Sequence, residues 1–560
     1  MRKRPIVAAV AGAALVTLLG TLPVQAKSSA QQGAARDYVV VYNSGVTPEQ
    51  GAAAVRAAGG VVVSVNKDVG VAEVRSTNPY FADAAAAQPA LFGAAADRPI
   101  GFAPRMTPKD GIERDFSLRR PSNPQSSSGA SRAAGIEPLF GLQWGNQMIH
   151  ATYGGSYKVQ KGDPRVLVAS IDTGVDATHP DIAPVFNRAL SRNFTWDIPL
   201  VDGPCEYPNC HDPNWVDDNG HGTHTSGTMA AAMNGLGTVG IAPKVTLVNL
   251  RAGHDSGYFF TKSVVDALTY AGNIGVDVAN MSFFTDPWLY NCNQNPADNE
   301  REQRAQRAIR EAHFRAMNYA HDHGVTMVVA EGNEGEDLGH PTTDETSPDF
   351  PPGTEKLRHV SNNCLVLPQE GPHAIDVSAL GVKKELSYFS NYGVEQSTVS
   401  APGGDRRWFY GTPEYDAPEL RTLSTFPKHV LQEEGLIDEN GVPLTPLVIR
   451  NCHNGVCGYY IYFQGTSMAA PHAAGVAALI VSQFGHRDAA RGGLTLAPDT
   501  VRSILVRSAT DHACPDPRRS HYPDPTLPSD YKGTVKFCEG TPEFNGFYGN
   551  GIVDALRAVS

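Results

Sequence analysis

The chain has 560 residues, 41% of them hydrophobic and 19% charged, a globular composition long enough for one large domain with an accessory one. A formal net charge of -12 with no basic block argues against nucleic acid or an anionic membrane surface as a partner.

The first element in chain order is an address. Arg2, Lys3 and Arg4 form a basic start, residues 6–22 are apolar, and Val24-Gln-Ala26 is a cleavage pattern. The run is at the short end for a membrane span, so residues 1–26 are expected to be a cleaved signal peptide; Lys3 breaks a twin-arginine pair. After Ala26 no apolar stretch is expected to cross a membrane. Export would place the 8 cysteines in an oxidising compartment, where they pair. Proximity suggests Cys205 with Cys210, Cys452 with Cys457 and Cys514 with Cys538, leaving Cys292 with Cys364. None is spaced like a zinc site.

Residues 38–42, 61–65 and 71–74 read as strands. Residues 47–59 read as an Ala-rich helix with Thr47 as N-cap and Pro48 at its first position. An Ala-, Pro-, Ser- and Arg-rich stretch follows at about 84–135, and its segment 121–129 has the composition of a flexible, cleavable linker. From about Glu137, apolar strand-like runs at 166–171, 245–250, 276–281, 325–330 and 374–378 alternate with helical patterns. One helix, 299–323, places Ala305, Ala308, Ile309, Ala312, Ala316 and Ala320 on one face and stops at Gly324. The expected fold class is therefore α/β with a mostly parallel sheet, whose sites lie beyond the C-terminal strand ends.

Four residues are candidates to carry chemistry. Asp172, in Ile171-Asp-Thr-Gly-Val-Asp176, is either a turn residue or a half-buried catalytic carboxylate. No second Asp-Thr-Gly is present to form an aspartic-protease dyad. His221, in Gly220-His-Gly-Thr-His224, is flanked by glycines that let an imidazole face a cleft as general base. With His224 it could instead form a zinc pair, although no Glu stands between them. Asn333, after Gly332, is a turn residue or an amide aimed at an oxyanion. Ser467, in Gly465-Thr-Ser-Met-Ala-Ala-Pro471, opens an Ala-rich helix, as an ordinary N-terminal residue or as a nucleophile at a helix terminus with unpaired N–H groups.

In this order, Asp-Thr-Gly, His-Gly-Thr-His, Gly-Asn and Gly-Thr-Ser-Met-Ala-x-Pro, the chain resembles the subtilisin-like serine proteases, the subtilases. The resemblance runs from about Gln143 to Val559 and implies a subtilisin-like three-layer fold, with a small α+β propeptide domain at the N-terminus. It implies the domains 1–26 signal peptide, 27–83 propeptide, 84–135 linker and processing region, and 136–560 catalytic domain with an insertion at 405–460. Ser467 would attack the scissile carbonyl, His221 would carry its proton, Asp172 would orient His221, and Asn333 would hold the oxyanion. Ser282, Phe283, Phe284 and Gly332 would bind substrate, with Phe284 standing where relatives have glycine and reshaping the cleft. Asp217 and Asp218 would either favour basic substrate side chains or cap the following helix.

The resemblance also implies a structural calcium site at Asp181, the Asn234 side chain and the carbonyls of Ala232, Leu236 and Thr238. No organic cofactor is expected. The 405–460 insertion, with Asn454-Gly455 in a hairpin turn, would be a rim on the cleft or inert decoration. The expected function is that of a secreted, monomeric serine endopeptidase acting on proteins or peptides, inhibited by its own propeptide until it processes itself. Alternatives are a tripeptidyl-peptidase-like exopeptidase, a catalytically idle subtilase fold used for binding, and a zinc hydrolase built on His221 and His224.

Overall fold

The computed structural model describes residues 35–97, 113–114, 135–351, 353–489, 491–522, 524 and 535–560. The expected signal peptide (1–26) and the cleavable segment 121–129 lie outside these residues.

Two units are built on separate sheets. The N-terminal unit contains β1 (Arg36–Tyr42), α1 (Pro48–Ala57), β2 (Val61–Asn66), β3 (Val71–Ser76), α2 (Phe81–Ala86) and β4 (Leu91–Ala96), with sheet order β2-β3-β1-β4. The start of α1 follows from its sequence: Thr47 and Gln50 form a reciprocal capping box, and Pro48 occupies a position that needs no N–H donor. The unit does not end at residue 83 as expected. β4 pairs antiparallel with β1, extending the folded unit through the start of the stretch read as linker, because Leu91 and Ala94 bury in the unit's own core and Ala95 in the cluster it shares with the larger unit.

The larger unit has a seven-stranded parallel sheet: β5 (Leu167–Ile171), β6 (Arg192–Asn193), β7 (Thr246–Arg251), β8 (Val278–Met281), β9 (Thr326–Ala330), β10 (Ile375–Leu380) and β11 (Val399–Pro402), in the order β11-β10-β9-β8-β5-β7-β6. Alternation within these strands divides the core. Val168, Val278 and Val328 face one side, under α3 (His221–Ala230) and the later helix α6 (Thr466–Phe484). Ala169, Ala279 and Val329 face the other side, under α4 (Thr261–Ile274) and α5 (Glu300–Asp322). This is the three-layer α/β arrangement. α5 begins at Asn299, which caps it reciprocally with Glu302, and ends before Gly324 at φ +94°. α6 is long and apolar enough to cross a membrane, contrary to the reading that no such stretch follows Ala26. Its residues 466–481 are buried, however, and its alanines are what allow it to lie against the sheet.

The N-terminal unit rests on α4 and α5. Asn66 Nδ2 donates to Asp266 Oδ1 at 2.9 Å, Arg315 Nη1 donates to the Tyr42 carbonyl at 2.7 Å, and Arg304 pairs with Asp83 at 2.6 Å. Val39, Val41 and Val71 share one apolar cluster with Ala308, Ala312 and Met317.

The 405–460 insertion folds as a three-stranded antiparallel sheet with the strand leading to Ser467: β12 (Thr422–Thr425), β13 (Val448–His453) and β14 (Val456–Phe463), in the order β12-β14-β13. Asn454 and Gly455 turn the β13–β14 hairpin with φ of 50° and 81°. Disulfides join Cys205–Cys210, Cys292–Cys364, Cys452–Cys457 and Cys514–Cys538, the pairs that proximity suggested.

Candidate active site

Asp172 immediately follows β5 and is fully buried. Its Oδ1 accepts from Thr173 N–H at 2.7 Å and lies 2.7 Å from His221 Nδ1, while its Oδ2 accepts from Thr225 Oγ1 at 3.1 Å. A carboxylate so placed fixes the tautomer of the imidazole, leaving Nε2 toward the cleft. His221 opens α3, and glycine is required on either side of it. Gly220 has φ +92° and faces the Phe426 ring, where a Cβ would come within 2.3 Å; a Cβ on Gly222 would come within 2.1 Å of the Gly174 carbonyl.

Asp217 caps this helix. It accepts from Gly220 N–H at 2.8 Å, Thr223 N–H at 2.9 Å and Thr223 Oγ1 at 2.6 Å. Of the two readings for Asp217, the structure supports the cap. His224 turns away from the cleft: its Nε2 donates to the Thr422 and Ile461 carbonyls at 3.2 and 3.1 Å, and its ring stacks on Phe463. Burial first, and then the charge of His221, push its pKa down to about 3. The structure thus does not bring His221 and His224 together as a zinc pair. The insertion braces the same helix through Ser424 Oγ to the His224 carbonyl at 2.7 Å and Thr425 Oγ1 to the Thr223 carbonyl at 2.8 Å.

Ser467 is the second residue of α6, and its carbonyl accepts from Ser282 Oγ at 3.0 Å. Asn333 follows Gly332, which has φ +109°. Its Oδ1 accepts from Thr466 N–H at 2.9 Å, so its Nδ2 must point the other way. What Nδ2 meets was not foreseen: Glu113. Glu113 Oε1 accepts from Ser467 Oγ at 2.7 Å and from Asn333 Nδ2 at 2.8 Å, and its Oε2 lies 3.3 Å from His221 Nε2. One carboxylate therefore bridges hydroxyl, amide and imidazole. Burial disfavours its ionisation, but the bonds from His221, Ser467 and Asn333 hold it below the usual carboxylate range. Burial would likewise lower the His221 pKa; Asp172 and Glu113, on its two ring nitrogens, outweigh that and raise it to about 10. Next to it, Arg114 donates to Asn219 Oδ1 and lies 5.6 Å from the centre of the Phe463 ring.

A cavity of about 610 Å³ opens at Ser467 and His221. Ser282, Phe283, Phe284 and Gly332, the residues expected to bind substrate, line it together with Glu334, Glu345 and Asp349. Phe283 is held by a parallel stack on Phe259 at 4.0 Å, while Phe284 is half-buried between this cavity and the cluster of Leu289 and Leu338.

The residues named for calcium gather around Asp181 without fitting the ion. Asp181 Oδ2 accepts from Tyr460 Oη at 2.8 Å and Thr238 N–H at 3.2 Å, and Oδ1 accepts from Asn234 Nδ2 at 3.2 Å. Asn234 Oδ1, the atom a cation would need, accepts from Leu236 N–H at 2.9 Å instead. Ala232 N–H donates to the Asp181 carbonyl at 2.8 Å. The Tyr460 hydroxyl fills the space against Gly237, where a Cβ would come within 1.7 Å of it. Hydrogen-bond donors from the protein stand where the expectation placed a cation.

Comparison with known proteins adds the following. The family model described as the subtilase family matches residues 163–551. The thermophilic serine proteinase of Bacillus sp. (strain AK1) is 28% identical over 344 residues, covering 61% of this chain and 58% of that protein. Fervidolysin of Fervidobacterium pennivorans is 27% identical over 382 residues, covering 67% of this chain and 41% of that protein. The chain thus spans about half the length of these two relatives. Among solved structures, the epidermin leader peptide processing serine protease of Staphylococcus aureus shares the fold with a TM-score of 0.60 at 22% identity, covering 94% of this chain and 98% of that one.

Proposed function

Since this chain belongs to the subtilase family of serine proteases, we propose that it is a secreted endopeptidase with Asp172, His221 and Ser467 as its catalytic triad, made as a self-processing zymogen. One observation carries this reading: Ser467 Oγ and Asn333 Nδ2 converge on a single oxygen at 2.7 and 2.8 Å, with His221 Nε2 3.3 Å from the other oxygen of the same carboxylate. A group at that point is met by a nucleophile, an oxyanion donor and a base together.

In the reaction, Ser467 Oγ attacks the scissile carbonyl carbon while His221 Nε2 takes its proton. The carbonyl oxygen becomes an oxyanion held by Asn333 Nδ2 and the Ser467 N–H, and Asp172 stabilises the imidazolium. His221 then gives the proton to the leaving amine, and a serine ester remains. Water, activated by the same imidazole, hydrolyses that ester.

The zymogen reading rests on Glu113. A residue from the stretch read as processing region occupies the catalytic centre, so substrate cannot enter until it leaves. The docking of the N-terminal unit on α4 and α5 supports its reading as the propeptide. Treating the purified secreted protein with a fluorophosphonate probe, beside a Ser467→Ala variant, tests the whole reading. Labelling and N-terminal trimming, both lost in the variant, are the expected result; a folded, trimmed protein that takes no label would leave a binding fold. Product lengths from a defined peptide separate endopeptidase from tripeptidyl-peptidase action.

A further inference from the structure

The cavity at Ser467 and His221 carries a charge that the catalytic residues do not account for. Among the described residues, six carboxylates line it beyond the catalytic centre: Glu334, Glu336, Asp344, Glu345, Asp349 and Glu355. The cationic side chains on its wall, among the same residues, are His221 and Arg114, both at the catalytic end. Arg114 follows Glu113 in the stretch read as processing region.

Cations close to this wall in the chain are committed elsewhere. Arg358 is fully buried and pairs with Asp344 at 2.5 Å and Asp298 at 2.9 Å. Lys356, next to Glu355, reaches Glu302 at 2.7 Å and Asp298 at 3.2 Å. Asp344 is neutralised by Arg358, and buried Glu336 accepts from the Tyr290 hydroxyl. Glu345 and Glu355 are exposed, and Glu334 is half-buried. The acidic residues that sequence put forward for recognising a basic side chain do not line the cavity. Asp217 caps α3, and Asp218 lies 2.8 Å from His429 Nε2.

Glu334 fixes where this charge meets the reaction. Its Oε2 accepts from Asn391 Nδ2 at 2.7 Å, and a Cβ on Gly332 would come within 2.8 Å of it. Gly332 precedes Asn333, the oxyanion donor of the proposed reaction. A carbonyl held by Asn333 brings the side chain of its own residue to this mouth of the cavity. Phe259, Phe283, Phe284 and Leu289 supply apolar walls. Apolar walls beside carboxylates fit a long apolar stem that carries a cation. Arginine fits better than lysine, because its planar guanidinium stacks on rings and offers a fork of donors to carboxylates. An acidic side chain would be repelled, and an aliphatic one would meet the rings and gain nothing from the carboxylates.

Resting on the reading of Ser467 as the nucleophile, we propose that this chain cuts after arginine, and less readily after lysine, with Glu334 and Glu345 selecting the cation. The chain's own sequence complements the cavity. The stretch read as processing region carries Arg98, Arg105, Lys109, Arg114, Arg119 and Arg120 between 98 and 120, against Asp110, Glu113 and Asp115. The first peptide bonds offered to the enzyme are thus rich in the side chains it selects.

The test uses the purified secreted protein after its own trimming. A fluorophosphonate probe counts the active centres, and kcat/KM is measured on peptide anilides that differ only in the residue before the scissile bond: Arg, Lys, Leu, Phe or Glu. Arg should exceed Leu by roughly 10–150-fold, the ratio that a hydrogen bond to a charged group contributes, with Glu the poorest. The Arg-to-Leu ratio should fall about tenfold in Glu334→Gln and in Glu345→Gln. Glu345→Lys should raise cleavage after Glu relative to Arg, and the N-terminus made by trimming should follow an Arg or a Lys. A labelled enzyme that cuts after Leu or Phe as readily as after Arg would overturn the proposal and leave the triad standing. So would an Arg preference undiminished in Glu334→Gln/Glu345→Gln. Absence of labelling would overturn this proposal and the enzyme reading together.

Discussion

Replacing Glu113 by Gln keeps the shape of the side chain and removes its charge. In the native contact, Glu113 Oε1 accepts from Ser467 Oγ at 2.7 Å and Asn333 Nδ2 at 2.8 Å, and Oε2 faces His221 Nε2 at 3.3 Å. Hydrogen bonds to a charged group contribute about 1.5–3 kcal/mol net, against about 0.5–1.5 for neutral pairs. Gln retains an acceptor for Ser467 and Asn333 but offers no anion to His221. A loss of about 1.5–3 kcal/mol follows, which raises the fraction of open catalytic centres about 10–150-fold. The rate of fluorophosphonate labelling of the untrimmed chain reads that fraction directly when opening is fast. Glu113→Gln should therefore label at least about tenfold faster than the untrimmed parent, and the trimmed forms of both should label alike. Equal rates for the two untrimmed chains, with trimmed enzyme active, would refute the inhibitory role of Glu113 while leaving the triad intact. The contact also has a defined pH window. The lowered Glu113 value gives stabilisation that is complete above the ordinary carboxylate range and is lost on acidification. The raised His221 value gives stabilisation that is complete below the ordinary imidazole range and is lost as pH rises through about 10. The labelling ratio of untrimmed to trimmed chain should therefore be lowest near pH 5–6 (roughly, from the unperturbed values) and rise on either side.

Three further substitutions test other parts of the argument. Asn333→Ala should lower kcat by about 10²–10³, the magnitude known for the equivalent loss in subtilisin, with little change in KM; an unchanged kcat would remove Asn333 from the oxyanion site. Gly222→Ala forces a Cβ to within 2.1 Å of the Gly174 carbonyl, so the first turn of α3 must shift. Burst titration of the trimmed enzyme should show an acylation rate lower by about 10² with folding preserved by circular dichroism, and a parent-like burst would refute the tight packing. Tyr460→Phe removes the 2.8 Å donor to Asp181 and should cost about 1–3 kcal/mol in urea unfolding; an unchanged midpoint would mean that the hydroxyl does not hold this loop.

Much of this protein was legible from local sequence. The strands at 167–171, 246–251, 278–281, 326–330 and 375–380 fall within a few residues of the apolar runs that announced them, because a strand buried on both faces must be apolar along its length. Asp172, His221, Asn333 and Ser467 stood out because each belongs to a short motif whose glycines are required by close backbone approach, as Gly220 and Gly222 demonstrate. Extent was harder to read. β4 reads as linker from sequence because Leu91-Phe-Gly-Ala-Ala-Ala96 has no alternating pattern, and only its pairing with β1 makes it a strand. Three features were decided by tertiary structure alone. Ser467 meets Glu113 across 354 residues, Tyr460 meets Asp181 across 279, and the carboxylates of Asp197 and Asp212 reach Arg251 from a loop far earlier in the chain. None of these has a sequence spacing, because each contact is made between elements whose relative positions are set by packing on the sheet. Local pattern thus determined the strands, helix caps and the motifs of the candidate site. The partners of the buried carboxylates came only from the folded chain, since the cost of leaving a charge unpaired is settled by whatever the fold brings beside it.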